Sequence, residues 1–234
     1  PSNAINTMKK LFVLVCLLAI GFCNVAWAHY THPSRPTQSI LHGISPTIFS
    51  VMRQQYPEAE TGCLYEWEGI KYLVDTLALS YHAQAPDYDK CPTALCEMAE
   101  KYIKDKKPAM LAVCFDQLDH TGHAVGHDTP GYYEKLKELD GYVGRIIAAI
   151  KEAGIYDDTI IMMTADHGGI KKGHGGITLQ EVEIPFIIAG KNVRKGGEFQ
   201  ESMMQFDTAA TMGYVFGVKQ PQVWIGRPMI QVFK

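Results

Sequence analysis

No stretch of this 234-residue chain carries the ~20 consecutive apolar residues that a membrane-spanning helix needs. A polytopic membrane protein is thereby excluded. Basic charge is also short. Lys and Arg number 22 against 25 Asp and Glu, the formal net charge is −3, and no basic run stands out. A nucleic-acid-binding surface is not expected on that balance. Cysteine is scarce: there are six, and none form a C-x2-C pair, so a cysteine-built zinc site has no material. No Asp occurs before Asp75. Internal repeats, low-complexity tracts and an interdomain linker are missing too. What is present is 47% hydrophobic and 20% charged residues, the composition of a globular domain, and a length that suits one α/β domain.

The N-terminal part reads differently from the rest. Met8-Lys9-Lys10 precedes an apolar run from Leu11 to Cys23 that closes on Ala26-Trp27-Ala28. A charged start, a short apolar core and a small-x-small end are the marks of an export leader. The expectation is an upstream fragment or cloning scar at residues 1–7, a leader at 8–28 and one domain over 29–234. A periplasmic or secreted product, with no membrane anchor after cleavage, follows from it. Cleavage would remove Lys9 and Lys10 and no acid, leaving the remainder more acidic. Cys91 and Cys96 are close enough in sequence to pair. Cys114, inside the apolar run Leu111–Phe115, suits a buried thiol.

Beyond an extended lead-in at 29–43, helices and strands alternate. Pro46–Gln55 has helical apolar spacing, Thr61–Trp67 reads as a short strand and Ile70–Leu77 as a helix. A loop over 82–92 holds Pro86 and Pro92, and Thr93 starts a helix running to Lys106. Met110–Phe115 is continuously apolar, as a strand buried on both faces must be. Thr129 then caps a helix with Pro130 in its first turn and Leu136, Leu139, Val143, Ile146 and Ile150 at intervals of three and four. Thr159–Ala165 and Glu183–Ala189 are further strands, and Asp207–Phe216 is a last helix stopped by Gly217. This order implies a layered α/β fold with a mostly parallel central sheet.

Five of the nine histidines fall between His120 and His174. Asp119 and His123 follow one buried strand. Asp166 and His167 follow another, and His174 lies just downstream. Open α/β sheets bind ligands at the carboxyl ends of their strands. Taken singly, each such residue is more often a turn former or a satisfied loop histidine. Together, Asp119, His123, Asp166, His167 and His174 form a carboxylate-imidazole set suited to zinc or manganese. His120 and His127 read as neighbours of that set, with His127 a weak substrate-lining candidate. Tyr65, Glu66 and Trp67, ending a strand, fit either a pocket wall or edge packing. Tyr65 and Trp67 are retained as weak substrate-binding candidates.

Asp119-x-x-Gly122-His123, Ala165-Asp166-His167-Gly168 and His174-Gly175, in this order, resemble the metal-ligand sequence of the alkaline phosphatase superfamily. The similarity is to its type I phosphodiesterase and nucleotide pyrophosphatase branch. Pro46-Thr47-Ile48-Phe49, Asp207-Thr208-Ala209-Ala210-Thr211 and Gly226-Arg227-Pro228 fit as well, so the resemblance runs from about Gly43 to Pro228. It implies two divalent metal ions. Asp119, His123 and His174 would hold the first. Asp166 and His167 would hold the second, with another Asp and a Ser or Thr nucleophile from the first strand and the helix after it. That first strand and nucleophile helix are expected to be missing here, with only the leader-like segment in their place, so the second site is incomplete and the nucleophile unidentified. Ser2, Asn3 and Thr7 recreate its neighbourhood only faintly. The implied activity is metal-dependent hydrolysis of a small anionic phosphate ester. Two alternatives stand beside it: a degenerate secreted metal- or ligand-binding protein, and a phosphomonoesterase or sulfatase relative, although no sulfatase nucleophile signature occurs.

Overall fold

A computed structural model describes residues 11–17 and 46–234. Six strands form one sheet in the order β3-β2-β4-β1-β5-β6. They are β1 (Leu11–Leu17), β2 (Thr61–Tyr65), β3 (Tyr81–Gln84), β4 (Met110–Phe115), β5 (Thr159–Thr164) and β6 (Phe186–Gly190). All neighbours pair in parallel except β6, which runs antiparallel to β5. The helices are α1 (Ile48–Gln55), α2 (Ile70–Leu73), α3 (Ala94–Lys106), α4 (Gln117–Val125), α5 (Pro130–Glu152), α6 (Leu179–Val182) and α7 (Asp207–Phe216), joined by short 3-10 turns.

Period-two alternation divides the core. Met110, Ala112 and Cys114 of β4 pack with Ile48, Phe49 and Met52 of α1 and with Ala209, Met212 and Phe216 of α7. Leu111, Val113 and Phe115 face the other way, onto Leu95, Ala99 and Ile103 of α3 and Leu139, Ile146 and Ile150 of α5. The result is three layers, α/β/α, as the alternation of strands and helices predicts. Leu139, Ile146 and Ile150 are fully buried. Each such side chain contributes about 1.5–3 kcal/mol by leaving water. α5 forms where its sequence requires: Thr129 accepts the Tyr132 N–H through its side chain, Pro130 occupies the first turn, and Gly154 follows the end with a φ of 72°. Cys63 and Cys96 are buried free thiols and Cys91 is an exposed one, so Cys91 and Cys96 are not paired; Cys114 is buried.

The expectation for the first strand needs correction. The first strand, anticipated as missing, is present. Leu11–Leu17, the apolar core of the leader-like segment, is β1, pairing on one side with β4 and on the other with β5. A run of unbroken apolar, largely branched residues satisfies a strand in the middle of a parallel sheet as readily as the core of an export leader, so sequence cannot separate the two. A segment cut away could not hold this position, so the strand and the leader are competing readings of the same residues. Residues 1–10 and 18–45, which include the remainder of the leader reading and the lead-in, lie outside the described residues. No helix among the described residues is long and apolar enough to cross a membrane.

Candidate metal centre

The carboxyl ends of β4 and β5 lie on either side of β1 and deliver the candidate residues to one place. β4 leads through Asp116 into α4, which carries Asp119 and His123 on adjacent turns. Residues four apart share a helix face, which is why Asp119 Oδ2 lies 3.3 Å from His123 Nε2. Sequence reading placed this segment beyond the strand without a helix. α4 is short and its only apolar residues are Leu118, Ala124 and Val125, too few to announce a helix. β5 leads into Asp166 and His167, and the loop after them brings His174 back, its Nε2 3.6 Å from Asp119 Oδ1.

Asp119, His123 and His174 each offer a ligand atom, and these atoms lie within 4.8 Å of one another. His167 stacks on His174 with ring centroids 3.7 Å apart, and its Nε2 lies 3.4 Å from Asp166 Oδ2. The structure thus gathers Asp119, His123 and His174, with His167 and Asp166 adjoining them through the His174 ring. Two features fit a cation there. Asp119 Oδ1 and Asp166 Oδ1 are buried and have no hydrogen-bond partner. Such atoms are costly unless something positive meets them. The imidazoles are also turned the right way. His123 Nδ1 lies 2.9 Å from the Lys172 carbonyl, and His167 Nδ1 lies 2.7 Å from that of Gly168. A carbonyl only accepts, so each Nδ1 carries the proton and each Nε2 keeps its lone pair for a metal.

The electrostatics agree. Burial, with the Asp119 charge adding to it, lifts the Asp166 carboxyl above the usual carboxylate range. Partial burial and then the neighbouring His167 ring hold the His174 imidazole below its ordinary value, which favours the neutral form, the one that ligates.

His127 belongs to this cluster in a different way. Its ring is wedged between Gly122 of α4 and Gly169 of the opposite loop; a Cβ at either glycine would run into it. Its backbone N–H and Nδ1 both face the Lys171 carbonyl, at 2.6 and 3.0 Å. Its Nε2 stays 4.0 Å from Asp119 Oδ1. With Lys172 Nζ donating to the Ala124 carbonyl at 2.8 Å, these contacts stitch α4 to the loop bearing His167 and His174. The loop itself is tied down by Glu181, which accepts from the Gly176 N–H and the Thr178 hydroxyl.

The weaker substrate candidates sit elsewhere. Tyr65 is buried in the core and its hydroxyl meets His82 Nδ1 at 3.2 Å. Trp67, just past β2, is 39% exposed. His120 packs edge-on against Tyr88. Sequence reading gave no distinct role to Glu66, a buried acid at the end of β2 whose carboxylate reaches the start of α4. A charged residue closing an otherwise buried strand was the one signal available.

Residues 20–181 match the type I phosphodiesterase / nucleotide pyrophosphatase family. Among curated proteins, the chain is 28% identical over 152 residues to the catalytic subunit of GPI ethanolamine phosphate transferase 2 from Homo sapiens, covering 62% of this chain and 16% of that protein. It is 29% identical over 121 residues to phosphopentomutase from Agathobacter rectalis, covering 51% of this chain and 29% of that protein. It is also 29% identical over 96 residues to arylsulfatase K from Xenopus laevis, covering 39% and 18%. The chain therefore spans less than a third of the length of these relatives. Among solved structures, the lipoteichoic acid synthase LtaP from Listeria monocytogenes superposes with a TM-score of 0.64 at 15% identity, over 95% of this chain and 76% of that one. A 2-O GAG sulfatase gives 0.66 at 11% identity, over 95% and 74%. These two likenesses establish the fold.

Proposed function

The chain belongs to the type I phosphodiesterase / nucleotide pyrophosphatase family, and on that premise we propose that it hydrolyses a small phosphodiester or pyrophosphate with the help of divalent metal ions. The family handles phosphate esters; the choice of a diester rather than a monoester or a sulfate ester is our reading. It rests above all on one observation, the convergence of Asp119, His123 and His174, with the buried Asp119 Oδ1 left without a hydrogen-bond partner.

Asp119, His123 and His174 would hold one cation, and Asp166 with His167 would supply part of a second site. The donor set suits zinc, with manganese also compatible. A bound ion would supply Lewis acidity toward phosphoryl oxygens and offset the charge that builds on them. The chain's own residues do the rest. Lys172 and Gly168 carbonyls fix the His123 and His167 tautomers, and His127 holds the two ligand-bearing segments in register. This local charge is how an acidic protein would attract an anionic substrate. No Ser or Thr nucleophile is assigned, and residues 18–45 lie outside the described part of the chain.

The test combines metal analysis with turnover. Protein reconstituted with Zn(II) or Mn(II) and desalted should retain metal, and Asp119→Ala or His174→Ala should abolish retention. The metal-loaded protein should cleave bis(p-nitrophenyl) phosphate faster than p-nitrophenyl phosphate or p-nitrophenyl sulfate. Protein that stays metal-free overturns the ligand assignment. Faster turnover of the monoester or sulfate moves the activity to those classes. Metal retention without any turnover favours a degenerate binding protein.

A further inference from the structure

The helix that carries Asp119 and His123 is not capped by its own N-cap residue. Asp116 stands at that position, but its side chain makes no capping bond. Its Oδ2 instead accepts the Tyr88 hydroxyl at 3.0 Å. The exposed N–H groups of the first turn must be satisfied by something else. Glu66, from the end of β2, does this across the sheet. Its Oε2 accepts the backbone N–H of Asp116 at 2.6 Å and that of Gln117 at 3.3 Å, while its Oε1 accepts Gln117 Nε2 at 2.6 Å. Glu66 is 5% exposed.

The contacts continue outward. Gln117 Nε2 also donates to the Pro92 carbonyl at 2.9 Å, and Gln117 Oε1 accepts Lys135 Nζ at 3.2 Å. Lys135 in turn pairs with Glu138 of α5 at 2.7 Å. The first turn of α4 is therefore held from β2, from the loop before α3 and from α5 at once. Asp119 is the third residue of that helix, so its carboxylate follows any shift or rotation of this turn.

We infer that Glu66 is a positioning residue for the metal centre: a cap borrowed from β2 that sets where α4 begins and so where Asp119 meets His174. The inference rests on the metal reading of Asp119, His123 and His174. A carboxylate suits the task because it accepts from several donors at once and favours a helix N-terminus. Glu66→Gln keeps the shape but turns an NH2 group toward N–H donors. Burial pushes the Glu66 carboxyl up to about 7, which shows how dry its surroundings are.

The experiment uses the full chain and Co(II), whose visible bands report ligand geometry. Wild type, Glu66→Gln, Gln117→Met and Glu100→Gln are titrated with Co(II), and backbone amide exchange is followed in the metal-free proteins. Glu66→Gln should bind Co(II) about 10–100-fold more weakly, the range for residues that orient ligands, with shifted bands. Gln117→Met, which removes only the side-chain leg and keeps a side chain of similar size, should give a smaller loss in the same direction. The α4 amides should exchange faster in both. Glu100→Gln, which breaks an ion pair between α3 and α5, should lower thermal stability and leave affinity and bands as in wild type. Glu66→Gln binding within twofold of wild type with unchanged bands overturns the inference. So does an equal loss of affinity in Glu100→Gln, which would make it a matter of stability alone. Wild type that binds no Co(II) overturns the metal reading itself and the inference with it, a result distinct from the other two.

Discussion

Asp166→Asn should make the metal-free protein more stable and the zinc-bound protein less so. Asp166 Oδ1 is buried without a partner, and so is Asp119 Oδ1 nearby. Without an ion, the pair is an uncompensated concentration of negative charge. Leaving one buried polar group unsatisfied costs about 1–3 kcal/mol, and more when it is charged. A neutral amide of the same shape is still unsatisfied but uncharged, so Asp166→Asn should recover the extra cost of the charge, about 1–3 kcal/mol. For a domain of this size each kcal/mol moves Tm by about 2–4 °C, so in EDTA the variant should melt roughly 3–10 °C above wild type. Zinc reverses the order. A ligand at a thousand times its Kd stabilises by about 4 kcal/mol, and the variant, having lost a ligand, gains less. The pH dependence has a definite sign. The folded-state pKa of Asp166 is raised, so its penalty is fully present above that value. It lifts as pH falls toward the ordinary carboxylate range, where the folded protein takes up the proton first. The advantage of Asp166→Asn should therefore be greatest at neutral pH and shrink on acidification. Thermal unfolding by circular dichroism in EDTA and in zinc, at neutral and mildly acidic pH, measures all of this. A variant that melts below wild type in EDTA at neutral pH, or whose advantage grows on acidification, would refute the reasoning.

Three further outcomes follow from the fold. Gly190 has a φ of 124°, and a Cβ there would meet the Thr159 carbonyl of β5; Gly190→Ala should cost about 2 kcal/mol or more, seen as a lower urea midpoint. Ile146→Ala, at a fully buried position between α5 and the sheet, should cost about 2–5 kcal/mol by the same measure without changing metal affinity. Arg145 holds Glu100 through two hydrogen bonds of 2.8 and 3.1 Å, so Arg145→Ala should cost about 1 kcal/mol. The Arg145 hydrogen bonds lower the Glu100 pKa. That contribution is present above the ordinary carboxylate pKa and disappears as pH falls through the depressed one, which a stability-pH profile of the two proteins would show.

Residues with strong local instructions were legible from sequence. β4 and β5 announce themselves by unbroken apolar runs, and α5 by its cap, proline and 3–4 spacing. The five ligand candidates were found because loops after buried strands gather at one edge of a sheet. The misses have physical reasons. β3 is an edge strand, Tyr81-His82-Ala83-Gln84, mostly exposed and without an apolar run. The direction of β6 is a tertiary property that its residues do not encode. β1 reads equally as leader and strand. Glu66 escaped because its role is made by residues some fifty positions away. A cap supplied from another strand leaves no spacing to read.

The position of β1 has a consequence for how the protein is made. It leaves the ribosome before either of its two partners, which lie roughly 100 and 150 residues downstream, and long-range pairing of this kind slows folding. While β4 and β5 are still being synthesised, β1 has neither of their edges to join and remains open to chaperones or to a foreign sheet. Completing the sheet then requires insertion of this earlier segment between two later ones. Conditions that delay that step should trap a chain whose two halves are formed but not yet joined.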